Sequence, residues 1–157
     1  MKIKGLMIDP ISNMPIIILR DPKTSAVLPI WVGIFEANAI ALQIEKIATP
    51  RPMTHDLLKN ILTGMQASVE KIVITELKDN TFYALVYLRH GDRQLSIDSR
   101  PSDAIALALR TESPIFVESE VIEKAKNAEL TKDAGESERI RKWLENLDPE
   151  ELGKYEM

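Results

Sequence analysis

Slid along itself by 67 residues without a gap, the chain repeats its own pattern, residues 1–60 falling on 68–127. Leu28-Pro29-Ile30 meets Leu95-Ser96-Ile97, and Asn13 meets Asn80. Ala37-Asn38-Ala39-Ile40-Ala41-Leu42 meets Ala104-Ile105-Ala106-Leu107-Ala108-Leu109, and seven of the 18 positions from 28 to 45 are identical across the offset. Strands, turns and helices stay in step, the mark of an internal repeat. Each unit reads as three strands and a helix (βββα) with a trailing helix. The expected class is α+β, with mixed or antiparallel sheets and packed helices, built by internal duplication of that unit about a pseudo-two-fold.

In the first copy, residues 2–9 alternate loosely and end at Asp9-Pro10, a turn signal. Ile16-Ile17-Ile18-Leu19 is short and wholly apolar, the pattern of a buried strand, and a third strand over 27–32 leaves through Gly33. Ala37, Ile40, Ala41, Ile44 and Ile47 share one face of a helix over 34–47. Thr54 is expected to cap a second helix reaching Met65, with Leu57, Leu58, Ile61, Leu62 and Met65 inward. Trp31 and Phe35 are expected in the core, and Tyr83 and Tyr87 to share one strand face. In the second copy Asp79-Asn80 is a hairpin turn, followed by strands over 81–89 and 94–98, a helix over 102–110, an extended 114–117 and a short helix over 119–128. A domain over 1–128 and an acidic helical tail over 129–157 follow, the tail docking through Ile140, Trp143, Leu144 and Leu147.

Composition then narrows the chemistry. The 157 residues include no cysteine, which removes disulfides, zinc–thiolate sites and cysteine nucleophiles; two histidines, His55 and His90, cannot make a multi-histidine cage. No apolar run approaches the roughly 18 residues that span a bilayer, so no membrane partner is expected and the simplest compartment is the cytoplasm. The net charge of −4 is concentrated in the tail, since residues 118–157 carry −5 and the body +1. No Gly-rich phosphate loop and no G-x-S-x-G nucleophile elbow is present.

The copies differ most at the junction between third strand and helix. The first reads Trp31-Val32-Gly33-Ile34-Phe35-Glu36, the second Asp98-Ser99-Arg100-Pro101-Ser102-Asp103. The polar junction has two readings. As a helix start, Ser99 or Ser102 caps, Asp103 favours the dipole and Arg100 neutralises the acids. As a site, Asp98 and Asp103, joined by Glu36 or Asp56 from the first half, offer oxygen ligands to magnesium or manganese. Arg100 and Lys78 would then face a phosphate, with Ser99, Ser102 and Asn80 contacting substrate. His55, as a histidine, has the chemistry of a general acid or base, though it also reads as a surface residue at a helix start.

These segments resemble a known family, the bifunctional nuclease domain proteins of bacteria and plants. The resemblance lies in Leu28-Pro29-Ile30-Trp31-Val32-Gly33 with Glu36-Ala37, in Arg51-Pro52-Met53-Thr54-His55-Asp56-Leu57-Leu58, in Leu77 to Ala84 and in Ile97 to Ala108. It covers nearly all of residues 1–127; past residue 128 some relatives carry a repair-type interaction motif where this chain has a short acidic helix. The resemblance implies an α+β fold that self-associates, with a homodimer favoured, and degradation of both DNA and RNA. The expected function is a sugar-nonspecific, divalent-metal-assisted nuclease. The alternatives are a non-catalytic regulatory or interaction module and a small phosphate or nucleotide binder.

Overall fold

The computed structural model describes residues 1–131, with the side chains of 1–128. The expected tail anchor lies outside the described residues. Strands β1 (Lys2–Ile8), β2 (Pro15–Arg20) and β3 (Val27–Trp31) form an antiparallel meander in that order. Helices α1 (Ile34–Ile44) and α2 (Thr54–Gly64) follow, then β4 (Ala67–Lys78), β5 (Thr81–His90), β6 (Arg93–Ser99), α3 (Pro101–Thr111), β7 (Ile115–Val117) and α4 (Ser119–Thr131). The second sheet has the order β6-β5-β4-β7, with β7 parallel to β4 and the other pairs antiparallel. The fold is α+β.

Both meanders and all the helices recur at the offset of 67: α1 and α3 start and end that far apart, and so do the C-terminal ends of α2 and α4. β7 has no counterpart, because the matching residues 48–50 are coil. Pro50 and Pro52 there lack the N–H that a ladder needs. What recurs is the order and spacing of elements; the duplication itself stays a proposal.

Local chemistry accounts for most boundaries. Asp79 and Asn80 both take left-handed backbone (φ 51° and 59°), the geometry of a two-residue hairpin turn. Pro101 sits at the first position of α3, where a missing N–H costs nothing. Ile16 to Leu19 are wholly buried because β2 is the central strand of its sheet. α3 is the innermost helix, with Ala104, Ile105, Ala106, Leu107 and Ala108 buried. Alanines on α3 and on α1 (Ala37, Ala39, Ala41) let these two helices approach closely, and a single core links both sheets. Trp31 is half-buried, and its indole N–H donates to Asp9 Oδ2 at 2.9 Å. Asp9, buried in the turn after β1, also accepts from Ser12 Oγ and the Ile11 N–H.

Two packing expectations fail. Phe35 is 87% exposed rather than in the core, since α1 turns Ala37, Ile40 and Ala41 inward and leaves its first turn outside. Leu57, Leu58, Ile61 and Met65 on α2 are exposed as well, and the buried residue of that helix is His55. An apolar stripe tells a helix which face to bury, but the surface that receives it is tertiary.

Candidate functional site

Three helices begin around one end of the second sheet, and each carries an acid at its third residue: Glu36 on α1, Asp56 on α2 and Asp103 on α3. Acids in a first turn are favoured by the helix dipole. Their partners then divide them into two groups.

In the first, Arg100 at the start of α3 bridges the two halves of the chain. Its Nη2 donates to Glu36 Oε1 at 2.7 Å and its Nε to Asp103 Oδ2 at 2.9 Å. The other oxygen of Asp103 meets His55 Nε2 at 2.9 Å. The result is a continuous chain, Glu36–Arg100–Asp103–His55. Arg100 is mostly exposed and its second terminal nitrogen has no partner among the described residues, whereas Glu36 and His55 are largely covered.

The Asp103 carboxyl is opposed by burial but held below the ordinary aspartate range by hydrogen bonds from Arg100 and His55. It is therefore ionised at neutral pH and accepts only, so His55 Nε2 carries the proton of that bond. In a neutral His55 ring, Nδ1 is left bare and can take a proton.

The second group is structural. Arg110 on α3 is buried; its Nε donates to Asp56 Oδ1 at 2.7 Å, Nη1 to the Ala106 carbonyl at 2.9 Å and Nη2 to the Ala39 carbonyl at 3.0 Å. Asp56 Oδ2 accepts the Met53 N–H at 2.9 Å, so Met53, not Thr54, is the residue capped at the start of α2. Asp56 is thereby withdrawn from the carboxylate cluster expected of it, and one side chain ties α1, α2 and α3 together.

The Glu36–Arg100–Asp103–His55 chain lies in an open groove of about 950 Å³ between α1, α2 and the β5–β6 face. Its polar end also holds Asp98 and Ser99; its length is apolar, with Leu58, Ile61, Val86 and Ile97. Other expected residues lie elsewhere. Lys78 and Asn80 stand at the β4–β5 hairpin end and do not line the groove. Ser102 is buried in the first turn of α3 and does not line it either, and Ser99 Oγ donates to the Arg100 carbonyl; neither serine caps α3. No group of three or more histidine and acidic side chains is assembled to hold a metal among the described residues. Both Asp103 oxygens are engaged and Asp56 is tied to Arg110, so the residues as arranged do not form the expected magnesium or manganese cage. The polar junction marks Arg100 as a group that neutralises nearby acids, but its pairing with Glu36, 64 residues away, carries no local sequence signal.

Gly33, just before α1, is needed by Glu36. A Cβ added there would sit 2.2 Å from Glu36 Oε2. Because that atom ends a flexible side chain, Gly33→Ala is expected to cost under about 1 kcal/mol yet detach Glu36 from Arg100. Thermal melting with a crystal structure of the variant checks this; an unmoved Glu36 refutes it.

Acid should destabilise the protein for a definite reason. Asp9, Asp56 and Asp103 all have lowered folded-state pKa values: in Asp56 the Met53 N–H is the main cause, while in Asp9 bonds from Ser12 and Trp31 outweigh burial. A depressed carboxyl contributes stability that is present above its unfolded pKa of about 3.9 and is lost as pH falls through the folded value. The melting temperature is thus expected to hold from pH 7 to about 5 and to drop below about 4, less steeply in Asp103→Asn. A flat profile down to pH 3 contradicts it.

With this geometry in place, comparison with known proteins adds a family. A family model described as the bifunctional nuclease domain matches residues 17–129. An uncharacterised protein of Mycobacterium tuberculosis is 32% identical over 161 aligned residues, covering 96% of each chain. Bifunctional nuclease 1 of Oryza sativa subsp. japonica and bifunctional nuclease 2 of Arabidopsis thaliana are each 29% identical over 105 residues, 65% of this chain. The match spans 32% of each plant protein, about a third of its length.

Proposed function

Since this chain belongs to the bifunctional nuclease domain family, we propose that its groove binds nucleic acid and hydrolyses phosphodiester bonds of both DNA and RNA. The observation that carries the reading is the Glu36–Arg100–Asp103–His55 chain, drawn from both halves to the polar end of one groove. Hydrolysis needs a water stripped of a proton, donors for the charge that builds on the phosphoryl oxygens, and a proton for the leaving oxygen. Asp103 fixes His55 with Nδ1 as the basic nitrogen, suited to the first task and, once protonated, to the last. Arg100, clamped by two acids, presents its remaining donors in one orientation, suited to the second.

Electrostatics sets the condition. One arginine against Glu36 and Asp103 leaves a net negative charge, and Asp98 adds another at the same end. A phosphodiester is an anion, so its approach requires a compensating cation. A divalent cation supplies charge neutralisation of that kind. The test is cleavage of labelled DNA and RNA by the full chain, with magnesium, with manganese and with chelator. Cleavage of both substrates is expected, and cleavage of neither under any condition defeats the reading. The exposed apolar surface of α2 and Phe35 favours a second one, a non-catalytic interaction module, which predicts no hydrolysis in any arm.

A further inference from the structure

A second cavity lies on the opposite side of α2 from the groove and shares no lining residue with it. It holds about 320 Å³, at the small end of ligand pockets, and opens between the end of α1, the loop 45–53, α2 and α3. Its charge is the reverse of the groove's. The polar end of the groove sets Glu36, Asp98 and Asp103 against Arg100, whereas this cavity sets Arg51 and Arg110 against Asp56 alone. Arg110 and Asp56 neutralise each other at 2.7 Å. Arg51 is exposed and makes no ion pair among the described residues, so its positive charge is unopposed. Pro50 and Pro52 fix the backbone on either side of it, and Thr49 Oγ donates to the Arg51 carbonyl at 2.7 Å. The loop is thus set before any ligand arrives.

Unused donors converge on the same cavity. Arg110 is buried and engages three of its five N–H groups, with Asp56 and the Ala106 and Ala39 carbonyls. The second N–H of each terminal nitrogen has no acceptor among the described residues, and buried donors are seldom left so. Asn60, one helical turn from Asp56, and Gln43, in the last turn of α1, add two side-chain amides without a hydrogen bond among the described residues. We propose that this cavity binds a mononucleotide. The phosphate lies between Arg51 and the spare N–H groups of Arg110, whose forked donors match its oxygens. Each amide offers a donor beside an acceptor, the pattern that reads a base edge. Ile47, 52% exposed, and Pro50 give the ring an apolar surface. With about 320 Å³ against the groove's 950 Å³, the cavity suits one nucleotide and not a strand.

Nucleoside monophosphates contain no phosphodiester bond, so binding is read apart from hydrolysis. Titration calorimetry of the full chain with the four common ribonucleoside monophosphates and with inorganic phosphate is the test. At least one nucleotide is expected to bind with a Kd below about 1 mM, at least about tenfold tighter than phosphate. Arg51→Ala, which removes the unopposed charge, and Asn60→Asp, which adds a carboxylate, should each weaken it about tenfold or more. Both positions are exposed, so the melting temperatures should barely move, and Arg100→Ala should leave the affinity unchanged. Absence of saturable binding by any nucleotide overturns the site. Binding that survives Arg51→Ala and Asn60→Asp but is lost in Arg100→Ala also overturns it, placing the nucleotide in the groove. Equal affinity for inorganic phosphate overturns the nucleotide assignment. So does tighter binding of a short single strand that Arg51→Ala weakens, which would make the cavity a contact for strand backbone. A chain that binds mononucleotides but cleaves nothing would keep this site and remove the proposed function, and one that cleaves without binding them would do the reverse.

Discussion

Replacing Arg110 with methionine is expected to lower the unfolding free energy by about 3 kcal/mol and the melting temperature by roughly 10 °C. The size follows from what is left behind. The side chain is 3% exposed and every donor group it uses faces an acceptor on a different element: Asp56 on α2, the Ala106 carbonyl on α3 and the Ala39 carbonyl on α1. Methionine keeps the stem volume but takes from the Ala106 and Ala39 carbonyls a second donor beyond their helical bonds and from Asp56 Oδ1 its charged partner; a hydrogen bond to a charged group is worth about 1.5–3 kcal/mol. Asp56 is partly exposed and can regain water, which keeps the estimate below the sum. Arg110→Lys should recover only part, because one ammonium cannot span three directions. Urea unfolding of the three proteins decides it. A loss under 1 kcal/mol in Arg110→Met would mean that the helices hold together through their alanine contacts alone.

The largest functional effect is expected at Asp103. Asn in its place keeps the shape but removes the charge that both Arg100 and His55 lean on. The amide keeps one oxygen and so serves only one of the two: either Arg100 is left with Glu36 alone, or His55 faces an amide N–H and is held in the opposite tautomer. Under the proposed hydrolysis, the cleavage rate at saturating substrate should fall about 10²–10³-fold, the usual size for loss of one preorganised electrostatic group. Glu36→Gln should cost less, about tenfold, because it loosens Arg100 without touching His55. His55→Gln, with its melting temperature measured beside its cleavage rate, separates a proton-handling role from a merely structural one: loss of cleavage in a variant that stays folded is expected. Equal rates in Asp103→Asn and wild type would leave the four-residue chain as an element of architecture.

Much of the frame was legible because it is written in short-range chemistry. The hairpin at Asp79-Asn80, the start of α3 at Pro101 and the 67-residue spacing of α1 and α3 each depend on residues close in sequence. The polar junction from Asp98 to Asp103 stood out for the same reason, as a run of charge and hydroxyl where a strand gives way to a helix. The α+β class followed from periodicity that any strand or helix must obey.

Pairings across the fold were decided only in three dimensions. Arg100 and Glu36 are 64 residues apart, Arg110 and Asp56 54, His55 and Asp103 48. Each of the three helices offers a first-turn acid, and nothing local distinguishes Asp56, bound by a buried arginine, from Asp103 at the groove. The same holds for burial. Leu57, Ile61 and Met65 carry a helical stripe that would suit a core, yet α2 turns it outward and buries His55 instead. A sequence sets which side chains share a face and which backbone turns are cheap. The packing of α3 among α1, α2 and the second sheet determines which faces find a partner and which charges meet, because that depends on the summed contacts of segments remote along the chain.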